Sequence, residues 1–209
     1  MDHADWCWKM IDDFVKNFND HCASNYYPSN KICIGKSIMR WYDFGGYWIN
    51  IGLPLYVALE HKPENGCKMI QDSCNGRSSI ITRLKIVKKP EVEAAYQHAA
   101  QQHENSLQEE LQHGAEVLLE LVAPWCNKRG NPRCLAADSY FASAGCAVAA
   151  KKRNLDLIGN AKQCHKEYLK EFLEALELPS GQGSSRYLVS YNECDILELL
   201  ATMWVDRDW

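Results

Sequence analysis

The spacing of hydrophobic residues changes along the chain, and it predicts a helix followed by several strands. From Trp8 to Phe18 the apolar side chains recur at helical spacing, which predicts an amphipathic helix over residues 4–20. Short apolar runs bounded by turn residues come next and predict strands, with Gly35 expected to interrupt the first of them. These predicted strands cover residues 31–41, 55–60, 67–70 and 80–87.

The second half of the chain alternates between helix and strand patterns. Residues 90–121 contain seven Glu and no Lys or Arg, and they predict a helix pair or one long helix broken near Gly114. Further strands are predicted at 133–138, 155–159, 187–191 and 197–205, although the last run also fits a helix. Helices are predicted at 139–152 and 167–178.

This order favours an α/β fold in which one mixed sheet is covered by helices. Residues 31–87, 133–138 and 155–159 are expected to form that sheet. Gly35 and Asp138 should then lie on adjacent strands.

Composition narrows the class of protein. The chain has 209 residues, 46% of them hydrophobic and 11% aromatic, which excludes general disorder. It contains no apolar run long enough for a transmembrane helix, and its N-terminus lacks a secretory leader. We therefore expect an intracellular protein that is not secreted and has no membrane partner, with the nucleus as a candidate compartment.

Cysteine usage and net charge exclude several further classes. The ten Cys are irregularly spaced, which predicts reduced and mostly buried thiols. The sequence has no Cys-x-x-Cys pair, which argues against a structural zinc site, and no motif that would mark a cysteine protease. The net charge of −4 argues against a strongly basic nucleic-acid-binding domain.

Asp138 is the first candidate for chemistry, because it ends a predicted buried strand. Ligands bind at the carboxyl ends of strands in open α/β sheets. The alternative interpretation is that Asp138 caps the helix that follows it, since Asp is a favoured N-cap residue. The sequence pattern by itself leaves both interpretations open.

Several segments resemble piggyBac-type transposases. Leu-Ala-Ala-Asp-Ser-Tyr-Phe-Ala-Ser at 135–143 resembles the segment around the second catalytic Asp, and Leu-Ile-Gly at 157–159 continues the match. Pro-Ser-Asn-Lys-Ile-Cys-Ile at 28–34 and Ser-Ile-Met-Arg-Trp-Tyr at 37–42 resemble the first catalytic strand. The segments 52–67 and 204–208 are also similar, so that the resemblance covers nearly the whole chain.

The resemblance implies a ribonuclease H-like mixed sheet flanked by helices. It further implies a core at residues 1–163 and part of an inserted subdomain at 164–209. In the family, a cluster of Asp residues holds two divalent cations that activate the nucleophile and stabilise the leaving oxygen at phosphorus. Carboxylates suit this role because Mg²⁺ prefers hard oxygen ligands.

The sequence departs from the family pattern at the first acid position. Gly35 and Lys36 stand where the family has an Asp-Glu pair, and the later family acids are expected beyond Trp209. Only Asp138 of the catalytic cluster is retained. We therefore expect a transposase-derived domain without transposase activity and without a cofactor.

A metal-dependent DNA nuclease or transposase fragment is the alternative function. It would use Asp138 as the catalytic residue and metal ligand, with Mg²⁺ or Mn²⁺ as the cofactor. The missing carboxylates would then have to come from Asp43, Glu60 or Asp72, which the sequence does not place beside Asp138.

Weak DNA binding is the other alternative, because residues 122–170 hold nine Lys or Arg against three Asp or Glu. The candidate phosphate contacts are Lys128, Arg129, Arg133, Lys151, Lys152, Arg153 and Lys162. These residues equally fit a solvated surface balanced by the acidic segment 90–121. A protein partner or self-association would use that acidic segment or the aromatic-rich stretch Trp41–Trp48.

Overall fold

The computed structural model describes most of the predicted core. The described residues are 3–40, 56–58, 66–88, 113–126, 132–160, 172, 175, 183–191 and 197–204. Several sequence predictions lie outside them, including the aromatic-rich stretch, most of the 90–121 and 167–178 helices, and the boundary at 163/164.

The sheet is mixed and has the predicted members. Its strands are β1 (Lys31–Arg40), β2 (Tyr56–Ala58), β3 (Gly66–Asn75), β4 (Ile81–Ile86), β5 (Arg133–Ala137) and β6 (Leu155–Gly159). Their order is β2-β3-β1-β5-β6, with β4 also paired to β3. The first four strands pair antiparallel, whereas β1–β5 and β5–β6 are parallel. The prediction of one mixed sheet is confirmed.

Two strand predictions need correction. Gly35 does not interrupt β1, which runs through it with continuous pairing to β3. Strand β3 extends past Ile70 to Asn75 and therefore includes Asp72. The polar side chains at the end of β3 tolerate burial because they are hydrogen-bonded; for example, Ser73 Oγ lies 2.9 Å from Thr82 Oγ1.

Helix α1 (His3–Asn25) is longer than predicted and packs beside β4. The Asn19 side chain donates to the Leu84 carbonyl at 2.9 Å and accepts from the Leu84 N–H at 2.8 Å. This side chain therefore satisfies backbone groups of the edge strand, which would otherwise be open to pairing with another chain. Lys88 adds an ion pair to Asp12 at 2.7 Å.

The hydrophobic core lies on one face of the sheet, beneath helix α2 (His113–Val122) and helix α3 (Ala144–Lys151). Gly114, the predicted break, lies in the first turn of α2. A 3₁₀ turn, Ala123–Trp125, follows α2 and buries its Trp side chain. We call this side of the sheet the core face; the buried residues that define it include Ile32, Ile34, Leu118, Leu121, Leu135, Phe141 and Leu155.

Helix α3 begins later than the sequence predicts. Ser143 is its N-cap and accepts a hydrogen bond from the Cys146 N–H at 3.1 Å. Residues 138–142 form a turn before it. The interpretation of Asp138 as the cap of this helix is therefore wrong.

The C-terminal segment forms a separate antiparallel hairpin of β7 (Ser185–Tyr191) and β8 (Leu197–Trp204). The strand interpretation of this segment is thus confirmed over the helical one. Across the described residues, no helix has the length and apolar character needed to cross a membrane.

The cysteine prediction holds only in part for the described residues. Among the cysteines whose side chains the structure describes, six are free thiols, of which Cys146 is buried and the other five are partly exposed. The expectation of mostly buried thiols is therefore wrong for this part of the chain.

Candidate functional site

The candidate site lies where β1 and β5 run side by side. Ile34 of β1 is level with Ala137 of β5 in the parallel pair. Gly35 is the next residue of β1, and Asp138 is the first residue after β5, so both lie at this end of the parallel pair. The predicted adjacency of the two strands is confirmed, although β5 ends at Ala137, one residue before its predicted end.

Close backbone packing holds the turn that carries Asp138. A Cβ on Gly114 would lie 2.1 Å from the Tyr140 carbonyl oxygen, and one on Gly159 would lie 2.6 Å from the Ala142 Cβ. Only residues without a side chain allow α2 and β6 to approach the turn this closely. The exposed Asp138 carboxylate also accepts the Tyr140 N–H at 2.8 Å, which stabilises the turn from within.

Gly35 faces a second carboxylate across the other neighbouring strand. It is paired with Asp72 of β3, and among the described residues the one atom within 4 Å of a Cβ at position 35 would be Asp72 Oδ1, at 4.0 Å. Asp72 is 7% exposed and accepts a hydrogen bond from the Ser37 hydroxyl. Because alternate residues of a strand share a face, Cys33, Gly35, Ser37, Asp72 and Cys74 form one side of the sheet, which we call the Gly35 face.

Lys36 lies on the opposite side of β1 from Gly35. Its Nζ is 3.7 Å from the centre of the Tyr140 ring and 5.7 Å from that of Phe141. The alternation of side chains along β1 keeps this ammonium group off the Gly35 face. Its charge instead interacts with the faces of aromatic rings on the core side.

The described residues do not fit a two-metal carboxylate cluster. Gly35 supplies no ligand, Asp72 is engaged by Ser37, and Asp138 uses one oxygen within its own turn. Among the residues that the structure describes, no group of three or more His, Cys, Asp or Glu is arranged to hold a metal ion. Asp43 and Glu60, the other proposed substitutes, lie outside those residues.

The described basic residues are mostly engaged within the protein. Arg133 is 7% exposed, donates to the Trp125 carbonyl at 3.0 Å and stacks 4.7 Å from the Tyr27 ring centre. Lys151 pairs with Asp156 at 2.7 Å, and Arg153 donates to the carbonyl of residue 149 at 2.9 Å. Lys152 is exposed. Lys128, Arg129 and Lys162 lie outside the described residues.

Sequence patterns named Asp72 but did not place it opposite Gly35. The polar run Gln71–Asn75 reads as the end of a strand, since Asp and Asn are depleted in strands. The pairing register of β1 and β3 is the information that would have placed Asp72 opposite Gly35. Once β1 and β3 are paired as an antiparallel hairpin, a carboxylate on β3 can lie across from the lost acid position.

Comparison with known proteins identifies the family and a similar fold. A DDE transposase family model described as Transposase IS4 matches residues 7–204. A solved piggyBac transposase synaptic complex with hairpin DNA is similar in structure, with a TM-score of 0.56 and 15% sequence identity. The match covers 88% of this chain and 35% of that one, so this chain spans about a third of its neighbour's length. None of the curated proteins compared with the chain matches it.

Proposed function

Because the chain belongs to the Transposase IS4 family, we propose that it is a transposase-derived domain that lacks transposase activity. On this proposal, the domain has the family's sheet but does not catalyse the family's reaction. Phosphoryl transfer in DDE transposases uses divalent metal ions, which several carboxylates must hold close together. A domain that cannot assemble those ligands loses the reaction while keeping the fold.

The observation that carries the proposal is the place of Gly35. Gly35 lies between the Asp138 segment on one side and Asp72 of β3 on the other. The resemblance to the family implies that the first catalytic acid belongs at this position. A glycine there leaves the two carboxylates on strands that flank β1 without a shared third ligand. On this proposal, Asp138 is retained and has only a structural role, which is to stabilise the 138–142 turn.

Metal titration and a strand-cleavage assay test this proposal together. We expect Mn²⁺ and Mg²⁺ titrated into the full chain to give no binding heat that depends on Asp138, with Asp138→Asn as the matched variant. We also expect no metal-dependent cleavage of a labelled DNA duplex. Cleavage that Asp138→Asn abolishes would overturn the proposal and support the metal-dependent nuclease instead.

Weak DNA binding is the second candidate function. It is supported by the similar structure, whose title describes a synaptic complex with hairpin DNA, and by the excess of basic residues in 122–170. Since Arg133 is buried, the proposed phosphate contacts are Lys128, Arg129, Lys151, Lys152, Arg153 and Lys162, of which Lys151 and Lys152 are exposed among the described residues. This proposal also places the protein inside the cell, where it has access to DNA.

Salt dependence distinguishes phosphate contacts from other binding. We expect the fluorescence anisotropy of a labelled duplex to report weak binding. The logarithm of the association constant should fall linearly with the logarithm of the salt concentration. A Lys152→Gln change should reduce the slope by about one, while Lys9→Gln on α1 should leave it unchanged. Binding that is insensitive to salt, or equal in the two variants, would refute these contacts.

A further inference from the structure

Two thiols face each other on the Gly35 face, one on each of the paired strands β1 and β3. Cys33 is directly opposite Cys74 in the antiparallel register, so both side chains lie on the same face of the sheet. Both thiols are free and partly exposed. They are therefore cross-strand neighbours that a small solute can reach.

The backbone spacing at this pair suits a disulfide. The Gly76 N–H donates to the Lys31 carbonyl at 2.9 Å. Cys33 follows Lys31 by two residues, and Cys74 precedes Gly76 by two residues. Because hydrogen-bonded pairs alternate in an antiparallel ladder, Cys33 and Cys74 also form a hydrogen-bonded pair, with Cα atoms about 5.5 Å apart. Disulfides most often span Cα separations of about 5.5–6 Å. Little backbone movement is needed to join these two sulfurs.

We propose that Cys33 and Cys74 are a redox modification site, at which a low-molecular-weight disulfide such as oxidised glutathione forms a cross-strand disulfide. The Cys33 thiolate attacks one sulfur of the oxidant, expels one glutathione thiolate and forms a mixed disulfide. The Cys74 thiolate then attacks the Cys33 sulfur and expels the second glutathione. The cysteine pair loses two electrons, the oxidant gains them, and the two thiol protons pass through solvent to the two glutathiones.

The order of the two steps follows from the surroundings of Cys74. Burial raises the pKa of its thiol, and the neighbouring Cys33 and Asp72 raise it further. A smaller thiolate fraction at neutral pH makes Cys74 the slower nucleophile toward a dilute oxidant. Once Cys33 carries glutathione, Cys74 is held against the mixed disulfide, so that proximity compensates for its low ionisation.

Cys134 supplies the matched control. It lies on the same side of the sheet and is also partly exposed, but it is level with Lys31 on the other neighbour of β1. Cys33 is instead level with Ala136. Cys134 is thus offset along the sheet from Cys33, whereas Cys74 is directly opposite.

The linkage would join β1, the strand that carries Gly35, to its neighbour β3. It closes a loop of about 40 residues, between positions 33 and 74, and restricts the unfolded chain accordingly. We expect the oxidised protein to have a thermal midpoint about 10 °C above that of the reduced protein. Reduction should restore the lower value.

Peptide mapping after oxidation tests the proposal on the full chain. The protein is equilibrated in glutathione buffers of rising oxidised fraction, its remaining thiols are blocked with N-ethylmaleimide, and it is digested with trypsin without reduction. Cleavage after Lys31, Lys36, Lys68 and Arg77 places the two cysteines in separate short peptides, 32–36 and 69–77. The expected product is those two peptides joined, with a mass that reverts to the free pair on reduction.

Variants identify the partners and the alternative. Cys134→Ser should retain the linked peptides, and Cys33→Ser should abolish them. Linkage of Cys33 to any other cysteine, or N-ethylmaleimide on both peptides in the most oxidising buffer, would overturn the proposal. The wild-type map decides between these outcomes even where a serine variant does not fold.

Discussion

Placing a carboxylate at position 35 is the sharpest test of the proposal that this sheet has lost a catalytic acid. Among the described residues, a Cβ at position 35 would have only Asp72 Oδ1 within 4 Å, at 4.0 Å, so Gly35→Asp requires no movement of the described backbone or core. The change also removes the entropic cost of a strand glycine, roughly 0.5–1 kcal/mol. The perturbation is therefore electrostatic rather than steric.

The size of the electrostatic effect follows from Coulomb's law. Two carboxylates about 5 Å apart at an effective dielectric constant near 20 repel each other by roughly 3 kcal/mol. Gly35→Asn has nearly the same shape and no charge, so it isolates this term. We expect Gly35→Asp to unfold at pH 7 with about 2–3 kcal/mol less stability than Gly35→Asn when no divalent cation is present.

Divalent cations should reverse this difference. A cation that binds the paired carboxylates of the folded state contributes about 2.7 kcal/mol at 100 times its dissociation constant. The assay is urea unfolding of wild type and both variants, with and without millimolar Mn²⁺. Only Gly35→Asp should gain stability from the metal. If the Asp and Asn variants are equally stable and equally indifferent to Mn²⁺, then position 35 does not face Asp72 and the account of the lost site fails.

Three further predictions concern the frame around Asp138. Gly114→Ala should lower the free energy of unfolding by about 3 kcal/mol because its Cβ would meet the Tyr140 carbonyl at 2.1 Å; a gain in stability, as helix propensity alone would give, would contradict that packing. Ser143→Ala should cost about 1 kcal/mol in the same urea assay and Ser143→Asp much less, since Ser143 caps α3; equal losses would argue against the cap. Burial raises the pKa of Cys146 to about 11, so iodoacetamide at pH 8 should label Cys134 but not Cys146 within tryptic peptide 134–151; native labelling of Cys146 would refute its burial. Because the folded pKa of Cys146 is raised, its contribution to stability is present below about pH 9 and is lost as pH rises toward 11.

The strands and the sheet could be predicted where the pattern is local. The apolar residues of β1, β5 and β6 mark short runs bounded by turn residues, and the order of elements then favours one mixed sheet. The same holds for α1, whose spacing is helical over several turns. These features depend on residues close together in sequence, which is why a single chain reveals them.

The end of β3 could not be predicted because its stabilising partners are distant in sequence. Asn75 is an unfavourable strand residue by composition, yet its amide nitrogen donates to the Tyr26 hydroxyl at 2.6 Å and its amide oxygen accepts from the Ser29 hydroxyl. Tyr26 reaches it from beyond the end of α1. The local sequence shows that Asn75 is costly to bury, but it does not show the distant residues whose hydrogen bonds offset that cost.

The start of α3 illustrates a choice that only packing decides. Asp138 and Ser143 are both good N-cap residues, so the sequence allows a helix to begin at either. Residues 138–142 close as a single turn, in which the Asp138 carbonyl accepts the Ala142 N–H at 3.0 Å, and Gly114 and Gly159 pack against that turn. The continuous helix begins after the second candidate, Ser143, and Asp138 stays at the surface.

The two sides of β1 explain how an acid can be lost without loss of the fold. Ile32 and Ile34 point into the core with Leu135, and their burial is independent of which residue stands at 35. The Gly35 face carries carboxylates and thiols instead, and a cluster of like charges there opposes folding unless metal is bound. Replacing an acid by glycine relieves that repulsion while leaving every core contact in place. Selection for stability alone would therefore favour the exchange once catalysis is no longer required, and the sheet would persist as a scaffold.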